Sequence, residues 1–538
     1  MILQTRRKLR TFLSWFTSLR FAVLHDASER TQVAAVEPKL AAPSSLAKTI
    51  LTTLHEALAQ GHTCLPLVDL SRSLKREQAT PEEVAISLEQ LSASDRIHLT
   101  NEAISLPECA DAESFIATRL PQIGRSLRPI RPRLLRTWME GNELSVEQAA
   151  AIRILAAAPV SILTGDPGTG KTSTVKALAE IFILAGYDVH LTAPTGRAAA
   201  RLEEATGHAA QTLHRFLHAR ELRPKTRHHL FSRGKEVIVV DEASMLDVWL
   251  AERLVNSCTP WSRLIFVGDP QQLPPVGAGQ VLRDLLRSAV ISVAELTTCF
   301  RQTDESRILA AAQEIKQGRV PEFATPGREK SDCYFLAADS PEEIQRLLLN
   351  AVTSSLPARF NADPYRDIQV LTPMRNGLLG TMQLNQKIRQ ALHDSASSPS
   401  TKFHPKDRVL HIRNNYALGV FNGEGGNVLE IRENKVCVQY GEREVVYDQA
   451  ALDDLMHGFA ITIHRAQGSE YPFVVIPIHE SQSLMLTREL LYTALTRGRN
   501  MVVLIGSHRA LERAIANDRQ RFTQLAPLLA ASNPHPTN

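Results

Sequence analysis

One stretch of eight residues restricts the fold of this chain more than any other. The sequence GDPGTGKT occupies residues 165–172, directly after the apolar run Val160–Thr164 and at the start of a helical run. Glycines at such a strand-to-helix turn allow backbone N–H groups to surround phosphate oxygens. The pattern predicts a P-loop in which Lys171 reaches the β and γ phosphates and Thr172 is a ligand of Mg²⁺.

A second apolar run ends in the carboxylates that a phosphate site of this kind requires. Val237–Val240 leads directly into Asp241 and Glu242. We predict that Asp241 holds Mg²⁺ together with Thr172, and that Glu242 is the general base that polarises the attacking water. The alternative, an acidic pair that only begins a solvated loop, is weak beside an intact P-loop.

Amide and cationic groups farther along the chain are candidates to complete the site. The run Leu264–Val267 leads into Gly268-Asp269-Pro270-Gln271-Gln272, where a polar amide can sense the γ-phosphate. Hydrolysis also needs cations on the transferring phosphoryl group, and Arg301 and Arg497 are the candidates. Both would reach a nucleotide between two domains only when the domains close, which links hydrolysis to motion. For either arginine alone, a surface salt bridge is the alternative.

Continuous apolar runs favour two α/β domains, because parallel strands covered on both faces are apolar throughout. Helical segments separate the runs of the first set, and a second set follows between residues 334 and 506. The runs are Val160–Thr164, Val189–Thr192, Val237–Val240 and Leu264–Val267, then Gln369–Leu371, Val474–Ile478 and Met501–Ile505.

Two further regions have patterns of their own. Between 407 and 447, short strands joined by Asn/Gly turns predict a small antiparallel barrel inserted into the second α/β domain. Residues 46–106 predict three helices and a hairpin, as in a winged-helix-like module. That module either binds a partner or only packs against the rest of the chain, and the sequence leaves both readings open.

The net charge of +4 is too small to indicate a partner, but its distribution is uneven. Residues 1–25 and 114–139 carry basic residues and no acid, and 214–236 is also strongly basic. The six cysteines are never closer than 34 residues, which excludes a zinc-finger spacing and a disulfide framework and favours a reduced, cytoplasmic protein. No run approaches 18 apolar residues, so we expect no membrane span.

The ordered set of motifs resembles superfamily 1B DNA helicases of the RecD type. The matching pieces are LSVEQAAAI at 144–152, GDPGTGKT at 165–172, APTGRAAARL at 193–202, TLHRFL at 212–217, DEASMLD at 241–247, GDPQQLPPVG at 268–277, FRQ at 300–302, ITIHRAQGSE at 461–470 and YTALTRGR at 492–499. The resemblance implies an α/β fold of two RecA-like P-loop domains and an ATP- and Mg²⁺-dependent enzyme that moves 5′ to 3′ on single-stranded DNA and unwinds duplex DNA, in repair or recombination.

The resemblance also implies residue roles. Gln148 matches an adenine-reading element, Gln272 the γ-phosphate sensor, and Arg301 and Arg497 two arginine fingers. The residues expected to surround the nucleotide are Gln148, Gly165, Pro167, Gly168, Thr169, Gly170, Lys171, Thr172 and Ser173. Those expected to contact DNA are Pro194, Thr195, Gly196, Arg197, Thr212, His214, Thr462, His464, Arg465, Gln467 and Gly468.

These expectations divide the chain into five parts. They are a basic leader and linker (1–45), the N-terminal module with an Arg/Pro connector (46–135), the first RecA-like domain with a duplex-splitting pin near 218–234 (136–295), the second RecA-like domain with the barrel near 402–450 (296–511), and a C-terminal tail (512–538) expected to fray after Phe522. The expected partners are single-stranded and tailed duplex DNA, bound by a monomeric motor. The alternative is an ATPase subunit of a RecBCD-like complex, with a RecB/RecC-like or other nuclease partner.

Overall fold

The structure, a computed structural model, describes residues 45–74, 79–222, 234–300, 306–324, 329–393, 402–413, 415, 418–432 and 435–532. The predicted leader and linker therefore lie outside the described residues, apart from Ser45. Residues 223–233 of the predicted pin and the candidate Arg301 lie outside them as well.

The N-terminal module has the three helices and the hairpin that the sequence predicts. Its elements are α1 (Ser45–Ala59), β1 (Cys64–Pro66), α2 (Leu67–Leu74), α3 (Pro81–Ala93), β2 (His98–Leu99) and β3 (Ala103–Ser105). The strands form an antiparallel sheet in the order β1-β3-β2. Thr80 and Glu83 cap α3 reciprocally, which fixes where this helix begins. The identification of the module as a winged helix stays a prediction.

Two helices lie around the predicted Arg/Pro connector. They are α4 (Pro107–Arg119) and α5 (Pro132–Glu140). The domain boundary expected at 135/136 falls inside α5, so that placement was wrong. The physical reason is Pro132, whose fixed φ and missing N–H suit the first position of a helix, so the chain becomes helical there.

The first α/β domain is built on a parallel sheet in the order β6-β5-β7-β8-β4-β9. Its elements are α6 (Val146–Ala157), β4 (Val160–Gly165), α7 (Lys171–Leu184), β5 (Asp188–Ala193), α8 (Gly196–Thr206), β6 (Ala210–Thr212), α9 (Leu213–Glu221), β7 (Glu236–Val240), α10 (Val248–Ser257), β8 (Ser262–Gly268), α11 (Val281–Ser288) and β9 (Ser292–Leu296). All four predicted strands are present. The edge strands β6 and β9 carry polar, partly exposed residues, and their sequences therefore lack the continuous apolar run of a buried strand.

The second α/β domain and its insert follow. The elements are α12 (Arg307–Lys316), β10 (Cys333–Ala337), α13 (Pro341–Asn350), α14 (Leu356–Phe360), β11 (Ile368–Thr372), α15 (Thr381–Leu392), β12 (Arg408–His411), β13 (Gly425–Arg432), β14 (Lys435–Tyr440), β15 (Arg443–Tyr447), β16 (Leu455–His457), β17 (Ala460–Thr462), β18 (Tyr471–Ile478), α16 (Arg488–Leu495), β19 (Gly498–Gly506) and α17 (His508–Ala516). The parallel sheet has the order β10-β19-β18-β11-β17.

The antiparallel insert has the order β15-β14-β13-β12-β16 and lies between β11 and β17 in the chain. The predicted insertion is therefore confirmed. Its last strand runs to His457, beyond the expected limit near 450, because Val409, Leu410 and His411 of β12 pair with β16.

Residues 525–532 form a packed helix, whereas the sequence led us to expect fraying after Phe522. This helix, α18 (Leu525–Ser532), packs against α4 and α11. Leu525 and Leu529 are fully buried there, because a spacing of four residues places both on one face of the helix. Among the described residues, no helix combines the length and the apolar character needed to cross a lipid bilayer.

Candidate nucleotide site and interdomain cleft

The P-loop joins β4 to α7 through a turn that only glycine accommodates. The φ angles of Gly165, Gly168 and Gly170 are +157°, +88° and +86°. A Cβ atom on Gly165 would lie 2.5 Å from the carbonyl oxygen of Leu296. The Nζ atom of Lys171 donates to the carbonyl oxygens of Gly165 at 2.6 Å and Asp166 at 2.9 Å. The loop therefore combines a cation with the free N–H groups of a helix start, which is an anion-binding arrangement.

The carboxylates of Asp241 and Glu242 emerge at the end of β7, as the sequence predicts. The backbone N–H of Glu242 donates to Oδ1 of Asp241 at 2.9 Å. Burial and the adjacent Glu242 carboxylate raise the pKa of Asp241 to about 6. Glu242 has a φ of 52°, and a non-glycine residue in this left-handed region costs about 1–3 kcal/mol. Such strain is typical of functional sites, and both side chains line the cleft between the α/β domains.

A buried polar group follows the end of β8. Gln272 donates from Nε2 to Oδ2 of Asp269 at 3.3 Å. Its Oε1 is buried and, among the described residues, has no hydrogen-bond partner. Such a group costs free energy unless a ligand or water satisfies it, so this oxygen fits a role in contacting bound nucleotide.

The cleft between the two domains has a volume of about 590 Å³. The first domain contributes Lys171, Thr172, Ser173, Asp241, Glu242 and Gln272, and the second contributes Gly468, Glu470, Arg497 and Arg499. Arg497 is almost fully buried and donates to the carbonyl oxygens of Thr493 at 3.1 Å and Ser469 at 3.2 Å. Its guanidinium group is therefore anchored in the second domain while it lines the cleft.

Gln148 lies beside the P-loop, although the strand β4 separates them in sequence. Gln148 caps α6 reciprocally with Ser145, and its side-chain Oε1 accepts from the Ser145 N–H at 3.1 Å. A Cβ atom on Gly170 would lie 2.7 Å from Nε2 of Gln148 and 3.6 Å from the ring of Phe300. An amide and an aromatic ring thus flank the P-loop at the place where a nucleoside would extend from the phosphates.

The predicted DNA-contacting residues at the start of α8 lie near the second domain and the barrel. Thr195 caps α8, and Arg197 donates from Nη1 to the Tyr471 hydroxyl at 2.8 Å. Gly196 packs closely against Phe421 of the barrel region. A Cβ atom added to Gly196 would lie only 2.7 Å from the Cβ atom of Phe421. Pro194 precedes this turn. Farther on, Thr212 caps α9, and His214 is exposed on that helix.

The second set of predicted DNA-contacting residues divides in two. Thr462 and His464 line a separate cavity of about 510 Å³, together with Arg375 and Arg521. Burial lowers the pKa of His464. The remaining residues of this set, Arg465, Gln467 and Gly468, face other parts of the protein.

Arg465 contacts the sulfur of Met456, and Gln467 donates from Nε2 to the carbonyl oxygen of Leu273 at 3.1 Å. Gly468 packs against Ala198 of the first domain. The structure therefore brings Thr462 and His464 together at an open surface and places Gln467 in the interdomain contact.

Sequence reasoning missed several residues that join the two domains at the cleft. The Tyr492 hydroxyl donates to Oδ2 of Asp269 at 2.9 Å and lies 3.3 Å from Oδ1 of Asp166. Lys316 pairs with Asp166 at 3.1 Å, and Leu273 N–H donates to the Thr493 hydroxyl at 2.9 Å. The sequence signal was that Tyr492 and Thr493 lie inside the motif at 492–499, and that Asp166, Asp269 and Leu273 lie inside the motifs at 165–172 and 268–277.

Comparison with protein families assigns three parts of the chain. Residues 143–330 match an AAA domain, 384–440 match an ATP-dependent RecD-like DNA helicase SH3 domain, and 457–505 match a UvrD-like helicase C-terminal domain. An ATP-dependent RecD2 DNA helicase of Deinococcus radiodurans is 34% identical over 88% of this chain and 67% of its own length.

This chain belongs to the RecD-like family of ATP-dependent DNA helicases.

Other RecD-like and helicase proteins resemble the chain too. The RecBCD enzyme subunit RecD of Mycobacterium tuberculosis is 32% identical over 94% of this chain and 92% of its own length. A Pif1 helicase from Bacteroides, solved with ADP-AlF3 and single-stranded DNA, is 18% identical, covers 70% of this chain and 95% of its own, and has a TM-score of 0.45. The RecD-like SH3 match overlaps the inserted barrel, which places the barrel within the family's architecture.

Proposed function

We propose that this RecD-like helicase hydrolyses ATP in the interdomain cleft and uses the cycle to move 5′ to 3′ along single-stranded DNA and unwind duplex DNA. The observation that carries the proposal is the composition of the cleft. The P-loop, the carboxylate pair and Gln272 come from one domain, and Arg497 comes from the other. A cleft shared in this way lets hydrolysis depend on how the two domains approach each other.

The residues present fit a nucleoside triphosphate with Mg²⁺. Thr172 and Asp241 would hold the metal ion, which when bound neutralises charge on the β and γ phosphates. Lys171 would bind the same phosphates, and Glu242 would orient and deprotonate the attacking water. Gln272 would contact the γ-phosphate, Arg497 and Arg301 would stabilise the charge that develops on it, and Gln148 would contact the adenine.

We expect the two domains to bind the DNA strand alternately and largely independently of base sequence. Arg197, Thr195, Thr462 and His464 would contact the phosphate backbone, which every sequence shares. Opening one base-pair step costs about 1.4 kcal/mol in stacking on average, so sustained unwinding requires coupling to ATP. The two domains would approach and separate once per hydrolysis, and each cycle would advance a monomeric motor, with a role in DNA repair or recombination.

The deciding experiment compares duplex substrates that carry either a 5′ or a 3′ single-stranded tail. With ATP and Mg²⁺, we expect the purified chain to unwind the 5′-tailed duplex and to leave the 3′-tailed duplex intact, and we expect no unwinding without ATP. Unwinding of the 3′-tailed substrate alone would contradict the polarity. DNA-stimulated hydrolysis without unwinding would support the alternative, a subunit that needs RecB/RecC-like or other nuclease partners.

A further inference from the structure

After α17 the polypeptide runs from the second domain back to the first, and Arg521 lies in this connecting segment. Asp518, just past α17, pairs with Arg488 of the second domain at 3.2 Å. Four residues later, Phe522 stacks on His62 of the N-terminal module with a centroid distance of 5.0 Å. Residues 518–524, which we call the return strap, therefore connect the second domain to the module and to the first domain.

Arg521 uses its guanidinium group to hold one loop of the first domain. Nη1 donates to the carbonyl oxygens of Gly277 at 2.6 Å and Gly279 at 2.8 Å, and Nη2 donates to that of Pro275 at 2.7 Å. The planar fork of an arginine can satisfy several acceptors in a fixed geometry, which a lysine cannot. Hydrogen bonds from a charged donor contribute more than neutral ones, so this contact sets the conformation of the loop.

The loop held by Arg521 continues directly from the proposed γ-phosphate sensor. Its first part, 269–273, makes hydrogen bonds to the second domain. Tyr492 bonds to Asp269, and Thr493 and Gln467 bond to the backbone of Leu273. Its second part, 274–279, is held by Arg521 of the return strap at Pro275, Gly277 and Gly279. Two backbone hydrogen bonds of 2.9 Å also hold its end, from the Gly279 N–H to the Gly61 carbonyl oxygen and from the Val248 N–H to the Ala278 carbonyl oxygen. Loss of Arg521 should therefore loosen the second part while the contacts around Gln272 persist.

The second part of the loop faces the cavity that contains the predicted DNA-contacting residues. Pro274, Pro275 and Val276 line it opposite Thr462 and His464, and Val276 is 84% exposed. One loop thus carries Gln272 at the nucleotide cleft and Val276 at the surface proposed for DNA. A physically continuous element of this kind can carry coupling between two sites.

We propose that Arg521 is a positioning residue that couples DNA binding to ATP hydrolysis by fixing the loop 274–279. Arg521 does not line the nucleotide cleft. It lines the cavity that contains Thr462 and His464, and we assign its effect to the three carbonyl groups that it holds rather than to a direct contact with DNA. The inference rests on the proposed function, because it concerns how DNA at one face of the loop changes turnover at the other.

The test measures ATP hydrolysis without DNA and at saturating oligo(dT), so that the ratio does not report DNA affinity, for the wild type, Arg521→Gln and Arg521→Lys. Arg519→Gln is the matched control, since Arg519 is exposed two residues away and its replacement removes the same charge. We expect the ratio of stimulated to unstimulated kcat to fall roughly tenfold in Arg521→Gln and about threefold in Arg521→Lys, a range typical of coupling energies. KM for ATP should stay within about twofold of the wild type, and Arg519→Gln should match the wild type.

A wild-type ratio in Arg521→Gln would overturn the inference, and so would an equal loss of unstimulated and stimulated turnover, which indicates a general structural role. If Arg521→Gln fails to fold, Arg521→Lys decides: a reduced ratio supports the inference and an unchanged ratio overturns it. Absence of any stimulation by DNA in the wild type would instead contradict the proposed function.

Discussion

The hydroxyl group of Tyr492 donates a hydrogen bond to Oδ2 of Asp269 at 2.9 Å, and so joins α16 of the second domain to the end of β8 in the first. The same hydroxyl lies 3.3 Å from Oδ1 of Asp166 in the P-loop. Burial raises the pKa of Asp269, and this donor partly offsets that effect by stabilising the carboxylate. A single side chain of one domain therefore contacts both the P-loop and the segment that carries Gln272.

Tyr492→Phe should uncouple the domains while it preserves the fold. Losing a hydroxyl donor to buried carboxylates costs about 1–3 kcal/mol. If this energy is lost from the state that hydrolyses ATP, DNA-stimulated kcat falls, and we expect a decrease of roughly tenfold. The measurement is steady-state ATP hydrolysis on single-stranded DNA, with thermal unfolding recorded in parallel.

Tyr334→Phe is the control for that substitution, because the Tyr334 hydroxyl donates to the Glu329 carbonyl oxygen at 3.2 Å on the edge strand β10. It should lose some stability and keep its turnover. Wild-type turnover in Tyr492→Phe would show that the contact across the cleft has no part in the reaction.

Gly170→Ala should impair nucleotide binding beyond its effect on stability. The φ of Gly170 is +86°, and an added Cβ would lie 2.7 Å from the Gln148 amide. Gly186→Ala is matched, since Gly186 has a φ of +77° and an added Cβ there has no neighbour within 4 Å among the described residues. Both variants should lose about 1–2 kcal/mol of stability from the left-handed backbone. Only Gly170→Ala should raise KM for ATP, by roughly tenfold or more, and equal KM values in the two variants would argue against the placement of the nucleotide.

Stability should fall as the pH rises from about 4.5 to 7, because of Glu113. This carboxyl group accepts from the Thr63 hydroxyl at 2.7 Å and from the N–H of Gln524 at 3.2 Å, under the return strap. Burial raises its pKa to about 7 from an ordinary 4.5. The folded state therefore retains a proton that the unfolded chain releases, and the associated stability, about 3 kcal/mol, is present below pH 4.5 and lost through pH 7.

Glu113→Gln should flatten that part of the pH profile of unfolding free energy in urea. Asp111→Asn, an exposed change on the same helix, should leave the profile as in the wild type. A fall of the same size in Glu113→Gln would mean that another group is responsible; Asp284, whose pKa burial raises to about 6, is the next to examine.

The first domain is largely predictable from its sequence, because its central strands are continuous apolar runs and several of them lead into chemically distinctive residues. Lys171 and Asp241 could therefore be assigned to the phosphate site from the strands that precede them, whereas the choice of Gln272 among the amides after β8 came from the resemblance to RecD-type helicases. The apolar pattern did not predict the edge strands β6 and β9, because partly exposed strands carry polar residues.

Contacts that depend on tertiary structure could not be predicted from local pattern. Leu525–Ser532 looked like an Ala-rich tail, and its burial depends on a groove formed by α4 and α11. Arg521 follows no motif, and its role depends on three carbonyl groups about 240 residues away in sequence. Only the folded arrangement reveals either one.

The most direct test of the account is DNA-stimulated ATP hydrolysis by Lys171→Ala, whose ammonium group lies over the P-loop carbonyls in the wild type. Lys176→Ala, an exposed change about one and a half turns along the same helix, is the control. We expect Lys171→Ala to have no DNA-stimulated turnover and still to bind single-stranded DNA, and Lys176→Ala to behave as the wild type. Unchanged turnover in Lys171→Ala would contradict the assignment of the cleft as the site of ATP hydrolysis.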